Sequence, residues 1–187
     1  EWVIAIFMIL FGINFNMYYF LLIRKISYIY KNTELKVYLG IIIASSATIA
    51  VNVYNLYENL GLSIRHAFFQ VSSIITSTGF ATVDFNKWPE FSKMLIIMLM
   101  FVGDCAGSTG GGFKVARIVI MFKSARKSIR KMIHPKSVNL VKSDDRTIDV
   151  ETVHGVHSYL IIYLGIIVAS LLLISLNNFD FATSFTA

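Results

Sequence analysis

Separate apolar runs long enough to cross a bilayer restrict this chain more than any other feature. Residues 2–23 contain no charge, and a membrane-spanning helix needs about 20 predominantly apolar residues. Residues 37–57 and 153–176 form two more such runs. Residues 90–122 make a longer one that exceeds a single simple span. A soluble domain has no means of burying several such segments, and a mean hydropathy of +0.66 agrees. The fold class expected is therefore an all-α membrane protein.

The charges orient it. Of 17 Lys and Arg, four lie in residues 24–36 and ten in residues 114–146, leaving Arg65, Lys87 and Lys93. Basic connections mark the cytoplasmic side, so these two segments are predicted to be cytoplasmic and Lys87 external. Positive charge confined to such loops points to topology and to anionic lipid, and away from nucleic acid. The single Cys105 offers neither a disulfide framework nor a metal cluster. Glu1-Trp2 leads straight into a span with no cleavage signature, so residues 2–23 do not read as a signal peptide. The chain is expected to be an internal piece of a longer protein.

Between the second and third runs lies a shorter segment. A helix over residues 63–77 would be about 22 Å long, against a hydrocarbon layer of about 30 Å. Such a helix enters the membrane without crossing it. It ends in Thr76-Ser77-Thr78-Gly79, small residues that leave backbone carbonyls open. Non-helical backbone at that depth survives only beside protein or a watery cavity, and a half-helix followed by such a loop is how cation selectivity filters are built. An ordinary interhelical glycine turn is the alternative. Asn59, Gly61 and Ser63 are expected to break and cap the chain before this half-helix, and Trp88 to sit at headgroup depth.

The long third run is interrupted at residues 103–112, where four of the six residues 107–112 are glycine. Each costs roughly 1 kcal/mol of helix propensity relative to Ala. The helix should open there and resume over residues 113–122, followed by a basic, polar connection over 123–146 that includes the helix-stopping His134-Pro135. The run is no nucleotide-binding loop: Gly107 and Gly112 have the spacing, but Phe113 stands where Lys is required. Asp104 lies in an apolar stretch, where a central carboxylate costs about 2.5–3.5 kcal/mol. Two roles are open to it: attracting cations in an aqueous path, or pairing with Lys114 or another basic group. Asn14 and Asn16 in the first run either bond a neighbouring helix or line an ion path. His154 and His157 share a helix face without a third metal ligand. No nucleophile–base pair or paired general acid and base is seen, which leaves coordination as the chemistry.

Four motifs together resemble a known family. They are T-S-T-G-F-A-T-V-D-F at residues 76–85, C-A-G-S-T-G-G-G-F-K at 105–114, G-I-N-F at 12–15, and His134-Pro135. The chain is similar to the potassium-translocating subunit of bacterial Trk and Ktr uptake systems. The resemblance implies four membrane helix–pore loop–membrane helix repeats around one pore, in the bacterial inner membrane. Residues 1–25 would be the last helix of the second repeat and 26–36 a cytoplasmic loop. Residues 37–123 would be the complete third repeat, 124–152 a cytoplasmic connection, and 153–187 the first helix and the start of the pore helix of the fourth.

Ser77, Thr78, Gly79 and Phe80 would form a filter segment, with potassium, the substrate, held at Thr78 and Gly79. Ala106, Gly107, Ser108, Thr109, Gly110, Gly111, Gly112 and Lys114 would form an intramembrane gate loop beneath it. The partners implied are a second copy in a homodimer, membrane lipid and a cytoplasmic nucleotide-binding ring; no cofactor and no enzymatic reaction are implied. At position 104 the family has a small residue, so Asp104 departs from the pattern. A sodium-permeable relative and a non-conducting structural or sensory subunit are the alternative functions.

Overall fold

Each apolar run becomes helical, and where hydroxyl residues, Asn and Gly cluster the helices stop. The structure is a computed structural model that describes residues 1–134, 142–143 and 146–176. Its elements are α1 (Trp2–Phe11), α2 (Phe15–Leu22), α3 (Ile26–Lys31), α4 (Thr33–Asn52), α5 (Tyr54–Tyr57), α6 (Leu60–Ile75), α7 (Glu90–Val102), α8 (Val115–Ile133) and α9 (Val150–Ser175). Two short antiparallel strands, β1 (Lys142–Ser143) and β2 (Arg146–Thr147), precede α9 with Lys142 opposite Thr147.

The first run is a bent pair of helices, a broken span or a re-entrant loop. It bends by 93° between α1 and α2, because Asn14 turns its side chain onto its own helix. Its Oδ1 accepts the Asn16 N–H at 2.9 Å and caps α2. This cap is a contact beyond the two roles expected for Asn14, and its physical reason is local: an Asn side chain competes with the backbone for helix-start amides. The segment 26–36 is likewise more than a loop. It contains α3, and Asn32 caps α4 by accepting the Leu35 N–H at 2.7 Å.

The core lies between α4 and α6. Tyr38, Ile42, Ile49 and Val53 line one face of α4, against Ala67, Val71 and Ile75 of α6. Ile96 and Leu99 of α7 and Val115 and Val119 of α8 complete this core. The spacings of three, four and seven place each set on one helical stripe. In lipid such contacts hold by close packing more than by exclusion of water. The side chains of α9 point outward almost throughout, as befits a helix of 26 residues facing lipid or neighbouring segments.

Asn59 caps α6 as expected, its Oδ1 accepting the N–H groups of Gly61 and Leu62 at 2.9 and 3.2 Å. With 16 residues α6 is about 24 Å long and remains shorter than the hydrocarbon layer. Trp88, by contrast, is buried in protein at 2% exposure and donates its indole N–H to the Tyr57 hydroxyl at 3.0 Å. A 3₁₀ turn at Phe85–Lys87 leads into Trp88. Beyond the glycine break, α8 starts at Val115 and continues to Ile133, eleven residues further than the expected end at 122. Its last turns are amphipathic and satisfy their own backbone, so basic residues alone did not end the helix. It stops at His134; Pro135, Lys136 and the pore-helix start expected after residue 179 lie outside the described residues.

Candidate functional site

Three helix interruptions meet at one place: the bend at residues 12–14, the turn after α6, and the glycine loop between α7 and α8. Each is made by residues that cannot or need not continue a helix. The Cys105 N–H donates to the Gly12 carbonyl at 3.0 Å, and the Phe15 N–H to the Gly107 carbonyl at 3.3 Å. Backbone groups freed by one break are thus satisfied by another, as membrane depth requires.

At the end of α6 the chain reverses. Thr78 and Gly79 both donate their N–H to the Ser73 carbonyl, at 2.9 and 3.4 Å. The Thr76 hydroxyl donates to the Ser72 carbonyl at 2.7 Å and pairs with the Thr78 hydroxyl at 2.8 Å. Ser77 and Gly79 take left-handed φ values of 54° and 79°, where an L side chain costs about 1–2 kcal/mol. The amides of the turn are therefore spent on the helix end. The carbonyls of Ser77, Thr78, Gly79 and Phe80 accept no hydrogen bond among the described residues, and all four residues are exposed. They stand at the C-terminal end of α6, whose dipole carries roughly −0.5 charge. This arrangement can coordinate a cation.

The loop from Gly103 to Lys114 is built around Asp104, which is completely buried. Its carboxylate pairs with the Lys114 ammonium and accepts the Gly110 N–H at 2.8 Å. Lys114 also donates to the Gly110 carbonyl and, at 3.3 Å, to the Ser108 hydroxyl. Of the two roles open to Asp104, pairing with Lys114 is the contact present, and its charge is countered within the protein. Low local dielectric makes such a pair strong and its disruption costly.

Glycine at 110 is required by contact: a Cβ there would lie 2.2 Å from Asp104 Oδ2 and 2.9 Å from the Thr76 carbonyl oxygen. Gly111 lies beside Ser77, with 3.5 Å between its ideal Cβ and the Ser77 hydroxyl. The loop thus touches the α6 turn directly. Thr109 reaches the Phe11 carbonyl at 3.5 Å, and Ala106 donates its N–H to Glu34 at the start of α4.

Two cavities flank the loop. One of about 400 Å³ is lined by Thr76 and Thr78 of the turn, Thr109 of the loop, and α1. The other, of about 440 Å³, is lined by Gly107, Gly111, Gly112 and Lys114 of the loop and by Arg117 and Tyr159 beyond it. The loop contributes to both, through Thr109 to the first and through its glycines and Lys114 to the second.

Glu34 and Tyr38 were not singled out from the sequence, and Gly12 only within the G-I-N-F motif, yet all three belong here. Gly12 is in contact with Tyr38 and Thr76: an added Cβ would meet the Tyr38 hydroxyl at 2.1 Å and Thr76 Cγ2 at 3.1 Å. For Glu34 the sequence signal was a carboxylate at the edge of an apolar run.

Known proteins share this arrangement. The crystal structure of the potassium transporter TrkH from Vibrio parahaemolyticus superposes with a TM-score of 0.88 at 25% identity, over 97% of this chain and 40% of that one. The Trk system potassium uptake proteins TrkH and TrkG of Escherichia coli (strain K12) are 30% and 31% identical over 99% of this chain. The chain spans 39% of the length of each of those two. Its membrane helix–pore loop–membrane helix fold is the fold of these transporters. The profile of the cation transport protein TrkH matches residues 1–187, and with its whole length so covered the chain belongs to the TrkH family of cation transport proteins.

Proposed function

We propose that this chain is part of a potassium uptake protein of the bacterial inner membrane. It supplies one of the segments that surround the ion and the loop that controls passage beneath it. The observation that carries the reading is the contact of the glycine loop with the α6 turn, Gly110 against Thr76 and Gly111 beside Ser77. Loop residues line a cavity that also holds Thr76 and Thr78 and a second one that does not. Above it, the free carbonyls of Ser77, Thr78, Gly79 and Phe80 replace part of the hydration shell of potassium, chiefly at Thr78 and Gly79. No enzymatic step is involved. One such turn covers one side of an ion, so the other sides come from the remaining repeats of the full-length protein.

The loop closes the path while Gly110 rests against Thr76, and opens when it withdraws toward the second cavity. Lys114 joins the loop to α8, so a pull on α8 reaches it through one residue. A cytoplasmic nucleotide-binding ring docked on α8 would supply that pull, in a homodimer of the full-length protein. The relatives' names, which speak of potassium uptake, support the choice of ion.

The test is growth on limiting potassium, and rubidium influx, in a strain lacking its own potassium uptake systems and carrying the full-length protein. Growth restored by the wild type and lost on deleting residues 77–79 is the expected result. Restored growth that survives this deletion would exclude the turn as the ion site. A sodium-permeable protein would show sodium influx with no preference for rubidium.

A further inference from the structure

A second site lies away from the ion path, in the groove between α8 and the start of α9. It is a cavity of about 410 Å³, within the ~300–1,000 Å³ range of small-molecule clefts. From α8 it is lined by Ser124, Lys127, Ser128 and Lys131. At about 100° per residue these four share an arc of roughly 100° on that helix. From α9 come His154 and His157. Among the described residues no Asp or Glu lines the cavity. The His157 Nδ1 is bonded to the Val153 carbonyl at 2.8 Å, which leaves Nε2 as the nitrogen open to a ligand. Two ammonium groups, two hydroxyls and two imidazoles therefore line one cavity together with Ile148, Val150 and Val153, and no carboxylate of a described residue is among them.

Depth identifies the ligand. With 26 residues α9 is about 39 Å long, against a hydrocarbon layer of about 30 Å. The excess falls at its first two turns, where Glu151, Thr152, His154 and His157 interrupt an otherwise apolar helix. These turns thus stand among the lipid headgroups, on the side that the basic segments assign to the cytoplasm. Nearer the bilayer centre Arg117 of α8 lies 3.8 Å above the Tyr159 ring of α9, and Phe113 of the preceding loop packs against Tyr159 and Tyr163.

We infer that this groove binds the phosphate-bearing headgroup of an anionic phospholipid of the cytoplasmic leaflet. Lys127 and Lys131 supply the charge, and Ser124, Ser128 and the two imidazoles supply hydrogen bonds. Such a lipid would bridge α8 and α9 across the connection between them.

The test uses the full-length protein in mild detergent, titrated with phosphatidylglycerol, phosphatidylcholine or glycerol 3-phosphate and read by native mass spectrometry. Each lysine near a phosphate is worth roughly fivefold in affinity. The variant Lys127→Gln/Lys131→Gln should therefore hold phosphatidylglycerol roughly 25-fold more weakly than wild type. Arg126→Gln/Arg130→Gln removes the same charge from the opposite face of α8 and should bind as wild type does. Phosphatidylglycerol should bind more tightly than phosphatidylcholine. Competition by glycerol 3-phosphate supports phosphate as the recognised group, and equal affinity for it would make the ligand a soluble phosphate ester. Unchanged affinity in the lysine variant, equal loss in both variants, or no preference over phosphatidylcholine overturns the assignment. Rubidium influx is read separately, so a failure of lipid binding is distinguishable from a failure of transport.

Discussion

Replacing Gly110 by Ala is the sharpest probe of the loop, because the structure distinguishes it from the glycine next to it. At 110 the new methyl would stand 2.2 Å from Asp104 Oδ2 and 2.9 Å from the Thr76 carbonyl oxygen. At 111 the nearest atom would be 3.5 Å away, the Ser77 hydroxyl, and φ there is not left-handed. The clash at 110 has two remedies. Rotating Asp104 away breaks a buried pair with Lys114, at a cost of about 3–5 kcal/mol. Backing the loop away from Thr76 costs about 1–3 kcal/mol, the usual range for overpacking.

The second is cheaper, so the substitution should bias the loop toward withdrawal by roughly 5- to 150-fold. The assay is rubidium influx into liposomes holding the full-length protein, with thermal unfolding measured alongside. Gly110→Ala should raise basal influx and leave ion preference in place. Gly111→Ala should leave influx unchanged and stabilise by about 0.4–1 kcal/mol through the unfolded chain. Equal behaviour of the two variants would refute the contact between loop and turn, and with it the gate.

Asp104→Asn strands the Lys114 ammonium in a mostly buried site, so it should lower thermal stability by several kcal/mol; Asp104→Asn/Lys114→Met should recover most of that in the same melting assay. Gly79→Ala meets no atom within 4 Å but must hold φ near 79°, so it should cost about 1–2 kcal/mol locally and reduce the rubidium-to-sodium influx ratio. Cysteine at Lys31 should be labelled by impermeant reagents from the cytoplasm and cysteine at Lys87 from outside; the reverse pattern would invert the topology.

Much of this protein is legible in one dimension. Apolar runs, their length against the bilayer, and the clustering of Lys and Arg depend on local composition, which a sequence states outright. So do the stops at Asn59 and in the glycine run at 107–112, since capping and propensity act over a few residues. What only the tertiary structure decided is how those stops meet. Asn14 read as a polar residue inside a span; it caps α2 locally, but only the packing sets the same side chain against Gly107 of the loop. Trp88 read as an interfacial anchor, and the position of Tyr57, 31 residues earlier, buried it. Asp104 had two open roles until the chain returned Lys114 to its side. Glu34 carried almost no local signal, because its partner, the Ala106 amide, lies 72 residues away. A buried charge or a freed amide is satisfied by whatever the packing brings near it, and that neighbour has no fixed distance along the chain.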